Sequence, residues 1–320
     1  VHIVVKNKQI AISVNDTLLV DYIEPPQPFR GQEYQRRVLS QGTFALQCHD
    51  PESKVSFKNI QVKPLPDDVA SDSEAPEMDE IDKQIVQLNE ENFPLIDFHV
   101  HLKGMTLPEA LALSRKYGIN YGIAPNCGLN FPITDDQGIA RFLETMKGQP
   151  VYLGMQAEGR EWVDLFSAQA IAQFDYVFSD AMTFFDNSGK RTRIWINEEI
   201  AIDDPQDFME MYIDRILGVL NGEPIDIYVN PTFLPEAIAA RYDELWTEAR
   251  MQKVIDAAVQ NGIAIEINNR YQIPSARFIK LAKKAGVKFS CGTNNGDANF
   301  GRADYFLAMV KECRLTANDM

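Results

Sequence analysis

Histidine and cysteine are scarce in this chain, with four of each among 320 residues. Cys48, Cys127, Cys291 and Cys313 lie far apart and form no close pair, which excludes a zinc knuckle or a CxxC redox motif. Long apolar runs are also missing, and no stretch approaches the roughly 18 residues that a membrane helix needs. Positive charge is in deficit, with 31 Lys and Arg against 46 Asp and Glu and a formal net charge of −15. A nucleic-acid backbone is therefore disfavoured as a partner. The first residue is Val1 rather than Met, so the natural N-terminus, with any export signal, is expected to lie upstream.

What is present divides into three. Residues 1–66 carry a net charge of +2 and read as β structure: "HIVV", "QIAISVN", "TLLVDYI", "GTFALQCH" and "KVSFKNIQVKP" are short runs rich in β-branched residues. "KNK" and "VND" supply hairpin turns, and a slip in the alternation near Lys58-Asn59 predicts a bulge. Five strands make only part of an antiparallel β-sandwich, whose sheets need partners on both inner faces. Residues 67–92 carry −9 and predict an exposed acidic linker ending in a short amphipathic helix at "EIDKQIVQLN". From residue 93 to 320, seven apolar strands alternate with helical stretches, beginning "PLIDFHV", "YGIAPNCG" and "VYLGMQAEG" and ending "KFSCGTNNG". Serial strand–helix units imply a parallel sheet, and seven of them suit closure into a TIM-like (β/α)7 barrel of the α/β class.

In such a barrel the loops leaving the C-terminal strand ends form the functional mouth. "IDFHVHLKG" delivers Asp97, His99 and His101 there, and strict alternation predicts all three on one face. Later strands deliver Glu158, Asp180, Asn230, Glu266 with Asn268, and Asn294, Asn295 and Asp297. Paired imidazoles with a carboxylate suit one divalent metal, zinc or manganese, held by His99, His101 and Glu158. Asp180, Asp297 and Glu266 are the candidate further ligands or general bases. Lys103, Arg160, Asn230, Asn268 and Asn294 are candidates for holding substrate. The alternative for the histidine pair is two hydrogen-bonded imidazoles and no metal.

Residues 93–320 resemble the PHP (polymerase and histidinol phosphatase) family, through "DFHVHL", "YLGMQAEG", "FDYVFSDAM", "VNPTFLP" and "GVKFSCGTNNGD". That resemblance implies a distorted seven-stranded barrel of metal-dependent phosphoesterases. His99, His101 and Glu158 keep the family's ligand types, whereas Asn230 and Asn294 stand where stronger ligands are usual, so a trinuclear centre is not expected. Residues 1–66 resemble the C-terminal part of the 3-keto-disaccharide hydrolase family, a concanavalin-like sandwich, through "VVKNKQIAISVNDTLLVDY" and "GTFALQCHDPESKVSFKNIQVKPL". That second resemblance implies carbohydrate, and an exported location in the periplasm or cell envelope.

Three functions follow as expectations. One is a metal-dependent hydrolase acting at the mouth on a sugar derivative or phosphate ester. Another is a glycan-binding or scaffolding protein with a metal-free barrel. The third is keto-glycoside hydrolase or lyase chemistry at the β domain, with His49 as the residue to watch. The expected partners are a small-molecule or glycan substrate, and a second copy of the chain through exposed strand edges of the β domain.

Overall fold

A computed structural model describes residues 1–40, 42–75, 77–185, 189–297 and 300–320. The chain divides into two compact units, Val1–Glu90 and Glu91–Met320.

The first unit holds one antiparallel sheet of β1 (His2–Lys6), β2 (Gln9–Val14) and β3 (Thr17–Ile23). Asn15 and Asp16 both have positive φ, 48° and 65°, which is the backbone of a tight hairpin turn and the reason small polar residues occupy it. Cross-strand partners share a face, so Ile3, Val5, Ile10, Ile12, Val20 and Tyr22 line one side of the sheet. The register shift falls between Ile12 and Ser13. The strands expected at 42–49 and 54–64, and the bulge near Lys58-Asn59, do not form in this structure. Phe44, Leu46, Val55, Phe57, Ile60 and Val62 remain exposed. An alternating apolar stretch becomes a strand only when a neighbour completes its ladder and covers its face, and no described neighbour does so here. A helix spans Glu80–Glu90 within the acidic segment.

In the second unit the strands are β4 (Ile96–Val100), β5 (Asn120–Ile123), β6 (Asn126–Gly128), β7 (Tyr152–Glu158), β8 (Tyr176–Ser179), β9 (Thr183–Phe185), β10 (Arg191–Arg193), β11 (Ile227–Tyr228), β12 (Ala264–Asn268) and β13 (Phe289–Gly292). Parallel pairing runs β4–β5–β7–β8–β11–β12–β13 and returns to β4, closing a barrel of seven strands. The short β6 extends along β7, and β9 pairs with β10 antiparallel, after β8 in the chain. Crossover helices include Leu107–Tyr117, Asp136–Met146, Pro205–Gly222, Glu248–Asn261, Ala276–Ala285 and Asp304–Glu312. Several begin at side-chain caps: Asp135, Asp204, Thr247 and Ser275 each accept from a first-turn N–H, which orients the helix on its strand.

The barrel core is built around Phe178 and Tyr176, packed with Ala124, Ile227 and Val229. Tyr176 crosses β7 and β5 to donate its hydroxyl proton to the Phe98 carbonyl at 2.6 Å. It passes where Gly154 and Gly122 leave room: a Cβ on either would sit 2.4 Å or less from the phenol ring or its oxygen. This anchored layer is the floor on which the polar mouth stands.

Candidate functional site

His99, at the end of β4, is buried with its ring 4.6 Å from that of Phe178. Its Nδ1 lies 2.6 Å from Glu266 Oε1 on β12. Glu266 is itself held, its Oε2 accepting from the Asn230 backbone N–H at 2.8 Å and the Asn268 amide at 2.9 Å. His101 is buried beside it, ring centroid 5.2 Å from that of His99, and its Nδ1 donates to the Ala124 carbonyl at 2.7 Å. His101 Nδ1 thus faces a fixed carbonyl oxygen, which sets its proton there and leaves the lone pair on its Nε2, whereas His99 meets an oxygen at each ring nitrogen, Glu266 at Nδ1 and Gln156 at Nε2. Burial, then the nearby His99, Lys103 and Arg270, lower the His101 pKa to about 3, so that imidazole is neutral at physiological pH. His99 Nε2 lies 3.2 Å from Gln156 Oε1.

Glu158 is buried at the end of β7 and accepts from the Asn126 amide at 2.7 Å. Burial and then the charge of Asp180 push its pKa up to about 8. Asp180 is also raised by burial, against the hydrogen bonds it accepts from Met182 N–H at 2.8 Å and the Asn230 amide at 2.7 Å. Two desolvated acids side by side are a place that favours positive charge. Asn230, at φ 50°, is the hub of the mouth: besides its bonds to Asp180 and Glu266, its side-chain Oδ1 accepts from the amides of Asn268 at 2.9 Å and Asn294 at 3.0 Å.

The sequence expectations fare unevenly. His99, His101, Glu158, Asp180, Asn230, Glu266, Asn268 and Asn294 come together as buried groups at one end of the barrel. Glu266 stands behind His99 as the group that positions it. Asp97 does not join the histidines as a free donor. The β4–β5 register shifts between Asp97 and Val100, breaking strict alternation, and both Asp97 oxygens accept from Thr293, Oδ1 also from the His99 N–H. Arg160, expected to hold substrate, forms an ion pair with Glu223 and donates to the Gly218 carbonyl at 3.1 Å, tying a loop to the helix Pro205–Gly222. Asp297 and Lys103 are exposed, while His49 is exposed outside the three strands of the first unit. Gln156, Asn126 and Thr293 were missed. Gln156 was open to inference, because it lies two residues before Glu158 on one strand and so on the same face.

The donor types in the mouth, imidazole and carboxylate, are those a divalent ion takes. Two imidazoles sit at the mouth, and Glu158 lies next to a second acid, Asp180, whose charge Arg191 and Lys103 offset only in part. Amides, by contrast, fill the space between Asp180, Glu266 and Asn294. Among the described residues no three His, Cys, Asp or Glu side chains are placed to grip one ion together, and Glu158 is turned to Asn126.

Comparison with known proteins agrees with this architecture. Residues 1–63 match the 3-keto-alpha-glucoside-1,2-lyase-like domain family. A crystal structure of histidinol phosphate phosphatase from Lactococcus lactis, complexed with zinc, L-histidinol and phosphate, is similar at TM-score 0.52 and 14% identity. The match covers 70% of this chain and 95% of that one, a share that only the barrel unit is long enough to supply. A cryo-EM structure of archaeal ribonuclease P with mature tRNA matches at TM-score 0.33 and 14% identity over 68% and 90% of the two chains, too remote for structural inference. No curated protein matches the chain. The chain is therefore similar to the 3-keto-alpha-glucoside-1,2-lyase-like family over its first 63 residues and, in the fold of its barrel, to a PHP-family histidinol phosphate phosphatase.

Proposed function

We propose that the barrel mouth is a hydrolytic site that takes one divalent metal, zinc or manganese, on His99, His101 and Glu158, and acts on a sugar derivative or phosphate ester. The observation that carries this reading is the pair of anchored Nδ1 atoms, His99 on Glu266 and His101 on the Ala124 carbonyl. A histidine that serves only packing has no need of an oxygen acceptor fixed on Nδ1; a metal ligand, which binds through Nε2, is held by one. Zinc in the similar phosphatase and the sugar-linked family matched by the first unit support the choice of metal and substrate class.

A divalent ion held there would polarise a substrate oxygen and stabilise negative charge as it develops. The chain's own residues do the rest. Glu266, fixed by Asn230 and Asn268, holds the His99 ring and balances charge on it. Phe178, beneath His99, keeps the floor dry. Asp180, fixed by the Met182 N–H and Asn230, presents a buried carboxylate beside Glu158 that can accept a proton.

The test is hydrolysis of p-nitrophenyl phosphate and of aryl glycosides by metal-stripped protein with zinc or manganese added back. Metal-dependent turnover that disappears in His101→Ala supports the reading. Turnover that persists in that variant sinks it, as does equal turnover with and without metal. Activity retained there but lost with His49→Ala would move the chemistry to the first unit.

A further inference from the structure

Beside the mouth, between the segments that follow β12 and β13, lies a cavity of about 290 Å³. Its charged lining is Arg270, Arg302 and Asp304, two guanidinium groups against one carboxylate, in a chain whose net charge is −15. Arg302 and Asp304 approach to 3.8 Å, and Asp304 is the more exposed of the two. Arg270 is placed from three sides. Its guanidinium lies over the Tyr271 ring at 5.4 Å, donates to the Asn294 carbonyl at 3.4 Å, and lies flat against Gly296, where a Cβ would stand 3.1 Å from both terminal nitrogens. The glycine is thus a seat for the guanidinium.

The helix Asp304–Glu312 contributes its first turn to the same cavity. The Phe306 N–H is capped by Asn269 Oδ1 at 3.1 Å, and the N–H groups of Asp304 and Tyr305 have no hydrogen-bond partner among the described residues. Helix N-termini carry partial positive charge, which adds to that of the arginines. One wall is shared with the mouth. Asn295 lines the cavity and grips the His101 backbone from both sides, accepting its N–H at 2.7 Å and donating to its carbonyl at 2.7 Å. Asn294 lines the cavity and donates to Asn230.

We propose that this cavity holds an oxyanion, the phosphate or carboxylate group at the non-reacting end of the substrate, with Arg270 and Arg302 as its cationic clamp. The substrate is then an acidic one, a sugar phosphate or sugar acid, whose neutral part spans from the cavity to His101. The assignment to substrate rests on the hydrolytic reading of the mouth; the oxyanion site itself does not.

The experiment is calorimetric titration of the whole, metal-stripped chain with inorganic phosphate, glucose 6-phosphate, glucuronate and glucose. Saturable binding of the sugar-linked anions, tighter than that of inorganic phosphate and absent for glucose, is expected. Arg270→Gln and Arg302→Gln each weaken it about tenfold, the loss of a charge-assisted hydrogen bond. Gly296→Ala weakens it with all charges retained, whereas Lys253→Ala, on the exposed face of a distant helix, leaves it unchanged. Binding unaffected by Arg270→Gln, Arg302→Gln and Gly296→Ala, or no saturable binding, overturns the site. Inorganic phosphate binding as tightly as the sugar-linked anions overturns the assignment to substrate. Because metal is absent throughout, failure here leaves the metal reading of the mouth intact, and failure of that reading leaves this one.

Discussion

Glu266→Gln is the most informative single change in the mouth, because it keeps the shape and removes one acceptor. Glu266 is buried and its two oxygens accept from three donors: His99 Nδ1–H, the Asn230 backbone N–H and the Asn268 amide. Glutamine offers one oxygen and one NH₂: turned to keep the Asn230 and Asn268 donors met, its NH₂ drives His99 to the other tautomer, with the proton on Nε2 toward Gln156; turned the other way, it leaves both amide donors facing an NH₂. Losing a charge-assisted bond to His99, or leaving two amide donors unmet, costs about 3 kcal/mol of folding stability. The second consequence is on the metal. With the Nδ1 acceptor weakened, His99 is no longer held in the ligating tautomer, and zinc affinity falls about 10- to 100-fold, the usual effect of removing such a partner. Urea denaturation reads the first effect and competition with a zinc chelator the second. A variant within about 0.5 kcal/mol of wild type would refute the reasoning. So would unchanged zinc affinity.

Three more outcomes follow. Gly154→Ala places a methyl 2.4 Å from the Tyr176 ring, which forces the phenol off the Phe98 carbonyl; about 3 kcal/mol of stability is lost in urea denaturation, and a loss under 0.5 kcal/mol contradicts the threading of Tyr176. Burial raises Glu223 from the usual 4.5 to about 7, against Trp162 and Arg160. A carboxylate raised on folding stabilises fully below pH 4.5 and loses that contribution as pH rises through 7, so stability should fall by up to about 3 kcal/mol between pH 5 and pH 8. Glu223→Gln should flatten that slope, and an unchanged slope in the variant would point to another group. Asn126→Asp adds a third acid beside Glu158 in place of its amide donor; metal-free protein is expected to lose about 2 kcal/mol, which added zinc restores, and a loss that zinc leaves in place would count against the metal.

The barrel was legible because its signal is repetitive: seven apolar runs, each followed by a helical stretch and several of those opened by a side-chain cap, leave little choice of topology. The first unit was less so. Phe57 and Val62 have the alternation of strand residues, but alternation records a willingness to pair, and pairing needs a partner that a short segment does not carry. In the mouth, His99 and His101 stood out because histidine is rare in the chain, and Glu158 because it is an acid at a strand end. Gln156, Asn126 and Thr293 did not stand out, since a neutral amide or hydroxyl in a sequence says nothing about which charge it serves. Arg160 is a different case: it follows Glu158 in sequence, yet its partner Glu223 is 63 residues on, at the end of a helix.

The proposed metal rests on His99 and His101. The direct measurement is a crystal structure grown with zinc and phased at its absorption edge. One anomalous peak bonded to Nε2 of both histidines at about 2.0 to 2.1 Å, with Glu158 turned from Asn126 to complete the grip, is the predicted result. An empty mouth with Glu158 still on Asn126, or a cluster of two or three peaks among Asp180, Asn230 and Asn294, would contradict it.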